Sequence, residues 1–422
     1  MRSKIQQFIW KTLLFLVFLR PFLSEYVFFI TGFWYIFALI FFSVSYIIIS
    51  EEEVTLLPSS YNLPVSLFII SILISLFYSG LNEWSSLQLY LLLPNIFIFY
   101  IATTLKSGQK TQLIAVMFIS AIIISLYAIF QYLSNFSFIK PNIYIDGFII
   151  GKRVFSTFLS PNMLASYMIM MLPLGTGFLI TTTKKNRSLW IFIALIIMLV
   201  TLLLTKSLGG IVVFIIIFIL LVFLSRNLKL SSLSISLILL LLISIPFFFS
   251  KERLSQFLNF DNPNNPIMQR IYYWSSSLKV IKDFPLTGAG WGKLEHLYRL
   301  YKVSSSNVTS YSHNVFLQIL VESGLLGLLS FSGIVFMFLK SGLRVLKENS
   351  SQQPYMGLFC AGCGFLLHNL IDLSFYFGQV AFFWWIILGL FAEVKTSLSI
   401  RTKVYLGICI ALPLICIHQV LS

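Results

Sequence analysis

Charged residues are scarce in this chain: they make up 10% of its 422 residues, whereas 58% are hydrophobic and 17% are aromatic. Soluble globular domains carry about 25% charged residues, so the composition excludes a soluble class. Apolar runs of about 20 residues recur from end to end, and each is long enough to cross a hydrocarbon layer about 30 Å thick. The sequence therefore predicts an all-α integral membrane protein.

The apolar runs predict a polytopic bundle of about 12–13 transmembrane helices. The predicted spans lie near residues 7–22, 27–49, 64–80, 86–104, 111–133, 161–181, 188–205, 207–225, 230–249, 313–339, 354–373, 376–393 and 404–421. One large polar loop, at 250–312, separates the spans of residues 1–249 from those of 313–422 and is expected to contain short amphipathic helices. We expect the spans on both sides of this loop to form a single membrane domain.

Acidic residues are also few, with 14 Asp and Glu against 29 Lys and Arg. The net charge of +15 could indicate nucleic-acid binding, but many basic residues lie in the N-terminal segment and in short turns on one side, such as Lys184–Arg187 and Lys340–Lys347. The positive-inside rule predicts this distribution for cytoplasmic turns. We therefore expect no nucleic-acid partner, a cytoplasmic N-terminus and an extracytoplasmic loop at 250–312.

Cysteine is limited to four residues, all within apolar runs. Cys360 and Cys363 have the spacing of a metal or redox pair, yet no second ligand pair accompanies them, and the small residues around them favour helix packing. The glycine-rich segment Pro285–Gly292 does not match the GxGxxG pattern and follows no predicted strand, which argues against nucleotide binding. Lys11 and Arg20 interrupt the first apolar run and no signal cleavage site follows, so we expect a retained anchor.

A histidine and an asparagine, His313 and Asn314, stand where the polar loop gives way to an apolar helix. Because an α-helix turns about 100° per residue, Gly324 returns to within about 20° of His313, and Gly327 to within about 40°. All three would then share one face, and glycine lets a neighbouring membrane helix approach closely. The pattern predicts an imidazole at the mouth of a tightly packed bundle; an ordinary helix start followed by a packing stripe is the alternative.

Three basic residues are predicted on the same side of the membrane as this histidine. Arg153 lies shortly before a span that Ser160 is expected to cap. Lys206 lies in a tight turn between two spans, where snorkelling to the interface is the simpler interpretation. Arg270 lies near the start of a short amphipathic helix in the polar loop, which Asn265 is expected to cap.

Two ionisable residues, His368 and Asp372, stand four positions apart near the outward end of the eleventh span, a spacing that brings side chains onto one helix face. Ionisable groups within a membrane are costly and therefore indicate function. Glu322 is a third such group, but it is predicted on the face opposite His313 and about 13 Å deeper, so we expect it to be a structural partner for a neighbouring helix.

The stretch that begins with His313 and Asn314 fits the signature His-(Asn/Ser/Gln)-x9-Gly-x2-Gly. In this it resembles the O-antigen ligase and polymerase superfamily. Three further pieces agree with that family in order: Arg153 with Ser-Thr-Phe-x2-Pro-Asn, Ser207-x-Gly-Gly, and Arg270-x3-Trp leading into Pro-Leu-x-Gly-x-Gly. The matching blocks run from about residue 153 to residue 372.

The resemblance implies an integral-membrane glycosyltransferase with a large extracytoplasmic loop and no need for a nucleotide sugar, a metal or a cofactor. Its donor would be a glycan on polyprenyl diphosphate, normally undecaprenyl diphosphate, in the bacterial inner membrane. The acceptor would be a lipid A core sugar in a ligase of lipopolysaccharide biosynthesis, a second lipid-linked repeat in a polymerase, or a protein hydroxyl in a third branch. Many relatives carry arginine where this chain has Leu208, and Lys206 could supply that charge instead.

By the same resemblance, His313 lies at the catalytic centre and basic residues hold the diphosphate. The chemistry agrees, because arginine stabilises developing phosphate charge and histidine can take a hydroxyl proton near neutral pH. The predicted site comprises His313 as general base or acceptor-orienting group, Asn314 and Asp372 beside it, Arg153, Arg270 and Lys206 as diphosphate ligands, and Gly324 and Gly327 as the structural part of the motif.

Two alternative functions stay open. A repeat-unit polymerase for O-antigen or exopolysaccharide would use the same donor and much the same site. A polysaccharide transporter or flippase would also be polytopic, but transporters tend to show internal repeats, and no such pairing of halves is apparent in the sequence.

Overall fold

A computed structural model describes residues 2–24, 29–49, 61–134, 153–224, 228–248, 251–348 and 353–392. These residues form helices and contain no strand, which confirms the predicted all-α class. The helices are α1 (Arg2–Leu19), α2 (Phe29–Ile49), α3 (Asn62–Ser79), α4 (Glu83–Thr103), α5 (Ser107–Ser134), α6 (Pro161–Thr181), α7 (Lys185–Leu204), α8 (Leu208–Leu224), α9 (Leu228–Phe248), α10 (Lys251–Leu258), α11 (Pro266–Asp283), α12 (Leu294–Tyr301), α13 (Val315–Glu348), α14 (Gln353–His368) and α15 (Gly378–Phe391).

Many of these helices are suited to a membrane. Within the described ranges, seven helices are long and apolar enough to span one, namely α2 to α7 and α13. Four shorter apolar segments lie in α8, α9, α14 and α15. Each predicted span up to 376–393 coincides with a described helix, whereas the span predicted at 404–421 lies outside the described residues. The chain is therefore a polytopic membrane protein.

Local capping chemistry sets the helix starts nearest the site. The Ser160 hydroxyl accepts a hydrogen bond from the Met163 amide at the start of α6. The Asn265 side chain accepts from the amides of Ile267 and Met268 at the start of α11. Both caps agree with the sequence prediction, because a side-chain oxygen can satisfy amides that have no partner in the first helical turn.

The centre of the bundle lies where α6, α14 and α15 pack together. Every residue of α15 is buried, and α14 packs along α6. A side chain on Gly357 of α14 would overlap the Pro173 carbonyl of α6, so this contact requires glycine. Cys360 and Cys363 are buried free thiols on the same helix. This arrangement agrees with the helix-packing interpretation of the cysteine segment.

The helix that follows His313 is broken, which corrects one prediction. α13 begins at Val315, after the histidine, and Gly324 has a non-helical backbone with φ 67° and ψ −167°. A calculation that assumes a continuous helix therefore fails, and His313, Gly324 and Gly327 do not form one continuous helical face. The physical reason is that a neighbouring backbone segment forms hydrogen bonds with α13 at this point, in place of the bonds within the helix.

That neighbouring segment is Pro285–Gly292, which lies against the break in α13. The amide of Ala289 donates to the Val321 carbonyl at 2.7 Å, and the amide of Leu325 donates to the Pro285 carbonyl at 3.0 Å. A side chain on Gly324 would overlap the Leu286 carbonyl. Gly324 thus admits a loop backbone, where the sequence had predicted a neighbouring helix. Gly327 does face a helix, because a Cβ there would lie 3.2 Å from the Ser71 hydroxyl of α3.

Trp291 fixes the end of the same segment inside the bundle. Its side chain is 2% exposed and stacks on Tyr376, with ring centroids 5.2 Å apart. Its amide donates to the Ser75 hydroxyl of α3 at 3.2 Å, and its carbonyl accepts from the Ser85 hydroxyl of α4 at 2.7 Å. These contacts tie the α11–α12 region to the transmembrane bundle.

Candidate functional site

A cavity of about 680 Å³ opens at the end of the bundle where α6 and α8 begin and α14 ends. Helix α11 forms one wall, and the turn between α14 and α15 forms another. Its polar lining comprises Arg153, Asn162, Ser207, Arg270, His368 and Asp372. Its apolar lining includes Leu208, Val212, Leu258, Phe260, Ile267, Ile271 and Trp274. The cavity therefore combines a cationic floor with an apolar rim.

Arg153 is held by two elements of the transmembrane bundle. Its Nε donates to the Thr205 carbonyl in the α7–α8 turn at 2.8 Å. Its Nη2 donates to the Asn162 side chain in the first turn of α6 at 2.9 Å. These bonds hold the guanidinium plane in one orientation at the cavity.

Arg270 reaches the same cavity from the first turns of α11. Its Nε donates to the Ile371 carbonyl at 2.8 Å, and its Nη1 donates to the Pro266 carbonyl at 2.9 Å. The bond to Ile371 joins α11 to the α14–α15 turn. Arg153, from the segment before α6, and Arg270, from α11, thus line one cavity.

Lys206, the third predicted cation, does not line this cavity. It is 8% exposed and has a positive φ of 50° in the α7–α8 turn. The neighbouring Ser207 lines the cavity and caps α8, where its hydroxyl accepts from the Gly210 amide at 3.3 Å. Leu208 also lines the cavity. The structure therefore brings two of the three predicted cations to the cavity.

Asp372 and His368 line the cavity together and are almost fully buried, at 7% and 1% exposure. The Asp372 carboxylate accepts from the Leu373 amide at 2.7 Å. Burial alone would raise the pKa of Asp372, but the charges of His368, His313 and Arg270 and the amide bond outweigh it and lower that pKa. Asp372 is therefore ionised at neutral pH and supplies a negative charge beside the two arginines.

His313 is not among the residues that line the cavity. It has a positive φ of 53°, a conformation that costs energy for a residue with a side chain. Its ring stacks on Tyr273 of α11, with centroids 5.4 Å apart. Its Nδ1 is buried and makes no hydrogen bond within the described part of the chain. A strained histidine with an unused ring nitrogen is consistent with a functional position.

The charge state of His313 depends on its neighbours. Burial lowers the pKa of His313, the Asp372 carboxylate raises it, and the Arg270 guanidinium lowers it, with a net shift below the usual value. The imidazole is therefore neutral at pH 7. A neutral imidazole can accept a proton, and Asp372 lies near enough to stabilise the imidazolium that would form.

Asn314 is occupied by backbone contacts. Its Oδ1 accepts from the Leu317 amide as the cap of α13, and its Nδ2 donates to the Leu370 carbonyl, both at 3.0 Å. The Val315 amide donates to the Asn369 carbonyl at 2.9 Å. The start of α13 is therefore hydrogen-bonded to the segment that leads to Asp372, and Asn314 positions this segment.

His368 and Asn369 show what the sequence prediction missed. The sequence singled out His368 beside Asp372 but did not assign it to the site, although it lines the cavity and its Nδ1 is buried without a hydrogen bond from the described residues. Asn369 holds the turn through its side chain, which accepts from the Phe375 amide at 2.8 Å and donates to the Phe365 carbonyl at 2.8 Å. A signal was present, since His368-Asn369 repeats the dipeptide His-Asn at 313–314.

Glu322 lies apart from the cavity lining. It is 1% exposed, and its Oε1 accepts from the Gln318 side chain at 2.8 Å. Its carbonyl accepts from the Gly290 amide at 3.1 Å, so Glu322 lies where the inserted Pro285–Gly292 segment meets α13. A structural role, as the sequence predicted, agrees with this position.

The fold and the cavity define an integral membrane protein with a cationic, partly apolar site at one end of its helix bundle. Residues 193–332 match the model of the O-antigen ligase family. This match confirms the predicted resemblance to the O-antigen ligase superfamily. The matched region extends from α7 into α13 and includes Arg270 and His313, whereas Arg153 and Asp372 lie outside it. A search of curated proteins found no match.

Proposed function

We propose that the protein is a membrane glycosyltransferase of the O-antigen ligase type. It would transfer a glycan from undecaprenyl diphosphate to an acceptor hydroxyl, on a lipid A core sugar or another surface acceptor. The observation that carries this proposal is the pair Arg153 and Arg270, which line one cavity with an apolar rim. Oriented guanidinium groups beside apolar surface suit a diphosphate joined to a hydrocarbon chain.

In this proposal the two arginines bind the diphosphate of the donor. As the bond between the anomeric carbon and the phosphate oxygen breaks, the electron pair stays on the diphosphate, whose negative charge increases. Arg153 and Arg270 already have fixed orientations, because each donates to a backbone carbonyl. Donors that need no reorganisation stabilise a developing charge best.

The acceptor hydroxyl supplies the new bond to the anomeric carbon and must lose its proton. We assign this proton to His313, which is neutral at pH 7, with Asp372 as the carboxylate that stabilises the resulting imidazolium. The acceptor would then approach from the side of α11 and α13. His368 lies next to Asp372 in the cavity lining and would help to orient the carboxylate.

The apolar rim gives the lipid part of the donor a place to bind. Leu258 and Phe260 are exposed, at 74% and 58%, and both line the cavity, as do the exposed Ile267 and Ile271. A polyprenyl chain could therefore lie between this rim and the membrane while the diphosphate reaches the arginines. A water-soluble nucleotide sugar has no hydrocarbon chain and would leave this apolar surface uncovered.

The proposed topology places this chemistry outside the cytoplasm. With the N-terminus in the cytoplasm, the loop at 250–312 and the cavity face the outer side of the bacterial inner membrane. Residues 1–249 and 313–422 would together form one membrane domain that carries this loop.

Reconstituted protein tests the proposal directly. Proteoliposomes given undecaprenyl-diphosphate-linked glycan should form a new glycosidic bond to lipid A core without ATP. A product formed with a second lipid-linked repeat as acceptor, and none with lipid A core, would identify the polymerase alternative. Movement of the donor across the bilayer without product would refute the enzyme and favour a flippase.

Arg270→Ala should abolish most of this transfer, because the diphosphate loses a charged donor. Removal of one oxyanion-stabilising donor typically costs about 10²–10³ in rate. Arg299→Ala is the matched control, since Arg299 is an exposed arginine on α12 in the same polar region. Equal activity of both variants would remove Arg270 from the site.

A further inference from the structure

A second cavity lies at the end of the bundle opposite to the proposed active site. α6 runs from Asn162 in the first cavity to Thr181 in the second, and α14 runs between the same two ends in the other direction. This cleft has a volume of about 580 Å³ and lies between the first turns of α5 and α14 and the α6–α7 turn. Nothing in the proposed transfer reaction uses it.

The cleft is strongly basic. Lys110, Lys184 and Arg187 line it, and no acidic residue is among its lining residues. The adjacent cavity shares Lys184 and Arg187 and adds Lys185, so the basic surface continues along the start of α7. The three cationic side chains make no hydrogen bond to any described residue. Their charge is therefore available to an anion from outside the chain.

The helix ends add to this positive potential. α5, α7 and α14 all begin at the cleft, since Ser107, Lys184 and Pro354 lie in its lining. The first turn of a helix carries unpaired amides and the positive end of the helix dipole. The hydroxyl of Ser107 is a further donor there. A site with cations, amides and a hydroxyl can bind several oxygens of one ligand. Such a site suits a phosphate ligand better than it suits the carboxylate of a flexible side chain.

The remaining walls of the cleft are apolar. Ile114, Phe178 and Leu358 line it, and Trp190 lines the adjacent cavity with 70% of its surface exposed. A free phosphate would use the cations but leave this apolar surface uncovered. A ligand with a phosphate head and acyl chains would use both.

We propose that this cleft binds the phosphate headgroup of an anionic phospholipid, with its acyl chains along α5 and α7. The proposal is independent of the transfer reaction, because its residues lie at the other end of the bundle. Basic pockets between membrane helices bind such headgroups through charges worth about 1 kcal/mol per basic residue near the surface.

The test compares two double variants of the full-length chain that each remove two positive charges. Lys184→Ala/Arg187→Ala changes the cleft. Lys340→Ala/Lys347→Ala is the control, because both lysines are exposed near the C-terminal end of α13, on the same side of the bundle but outside the cleft. Affinity for phosphatidylglycerol and for phosphatidylcholine is measured by native mass spectrometry of protein in detergent.

The wild-type chain should bind phosphatidylglycerol more tightly than phosphatidylcholine. The cleft variant should lose about tenfold or more of the phosphatidylglycerol affinity, and the control variant should retain it. Equal losses in both variants would show general surface attraction and overturn the proposal. Full displacement of the lipid by millimolar inorganic phosphate would instead identify a free-phosphate site, and equal affinity for both lipids would also overturn the proposal. Thermal unfolding of each variant in phosphatidylcholine verifies that it is folded.

Discussion

The two ends of the bundle both present cations, but they hold them differently. At the cavity, Arg153 and Arg270 each donate to backbone carbonyls, and the Asp372 carboxylate lies beside them. At the opposite cleft, the side chains of Lys184 and Arg187 are exposed and make no hydrogen bond to the described residues. A charge with a fixed direction suits a leaving group whose charge develops at one point. A charge on a freely moving side chain suits a headgroup whose position varies.

The two ends also differ in the free-energy cost of removing their charges from water. Buried charges lose their hydration and persist where hydrogen bonds and opposite charges compensate. The cavity meets that condition through backbone carbonyls that accept from the two arginines and through the Asp372 carboxylate beside them. The cleft avoids most of this cost, because Lys184 and Arg187 remain exposed to water. We therefore expect substitutions at the cavity to affect catalysis and substitutions at the cleft to affect lipid affinity.

Among the substitutions that compare the two ends, the largest effect is expected from one that keeps the charge at the cavity but loses its direction. Arg270→Lys retains a cation, yet an ammonium group cannot hold the Ile371 and Pro266 carbonyls and a phosphate in the same fork geometry. We expect the transfer rate to fall about 10²-fold, measured in proteoliposomes. Arg187→Lys in the cleft should leave both lipid binding and transfer nearly unchanged. A similar response at both ends would remove the distinction between fixed and mobile cations.

A second substitution tests whether the inserted loop keeps the cavity end rigid. Gly324→Ala places a methyl group against the Leu286 carbonyl at a positive φ, so we expect a loss of about 3 kcal/mol in unfolding free energy. Thermal unfolding in detergent measures this loss. Gly80→Ala is the control for backbone conformation, because Gly80 also has a positive φ but no atom lies within 4 Å of its added Cβ. Equal losses in both variants would mean that loop contact adds nothing to stability.

The smallest expected effect is a displacement of the pH profile. The Asp372 carboxylate raises the pKa of His313, so Asp372→Asn should lower that pKa further. His313 would then stay neutral to a lower pH, and the acid limb of kcat/KM should move to lower pH, in addition to any loss of rate. Asp261→Asn, an exposed aspartate of the same polar region, should leave the limb in place. An unchanged limb in Asp372→Asn would mean that His313 is not the titrating base.

Much of the bundle was predictable because membrane spans are encoded locally. An apolar run of sufficient length must satisfy its backbone internally in lipid, so hydropathy alone predicts a helix. The caps at Ser160 and Asn265 were equally local. The break at Gly324 could not be predicted from local sequence. A distant segment, Pro285–Gly292, makes the backbone hydrogen bonds that replace the helical ones there.

In the candidate site, too, some features were predictable from local sequence and others depended on tertiary contacts. The positions of Arg153 and Arg270 near helix starts followed from the capping residues, and both arginines line the cavity. The absence of Lys206 from the cavity lining did not follow, since its backbone in the α7–α8 turn takes a positive φ. The part of Asn314 in holding the Asp372 turn also depended on a contact between helices far apart in the chain.

The sequence by itself determined that this protein is a helical membrane bundle that resembles the O-antigen ligase superfamily, because span length and a short motif are both local properties. Tertiary structure alone decided which cations meet in one cavity and which lie at the other end. It did so because backbone carbonyls from distant turns, which no local pattern records, orient each arginine.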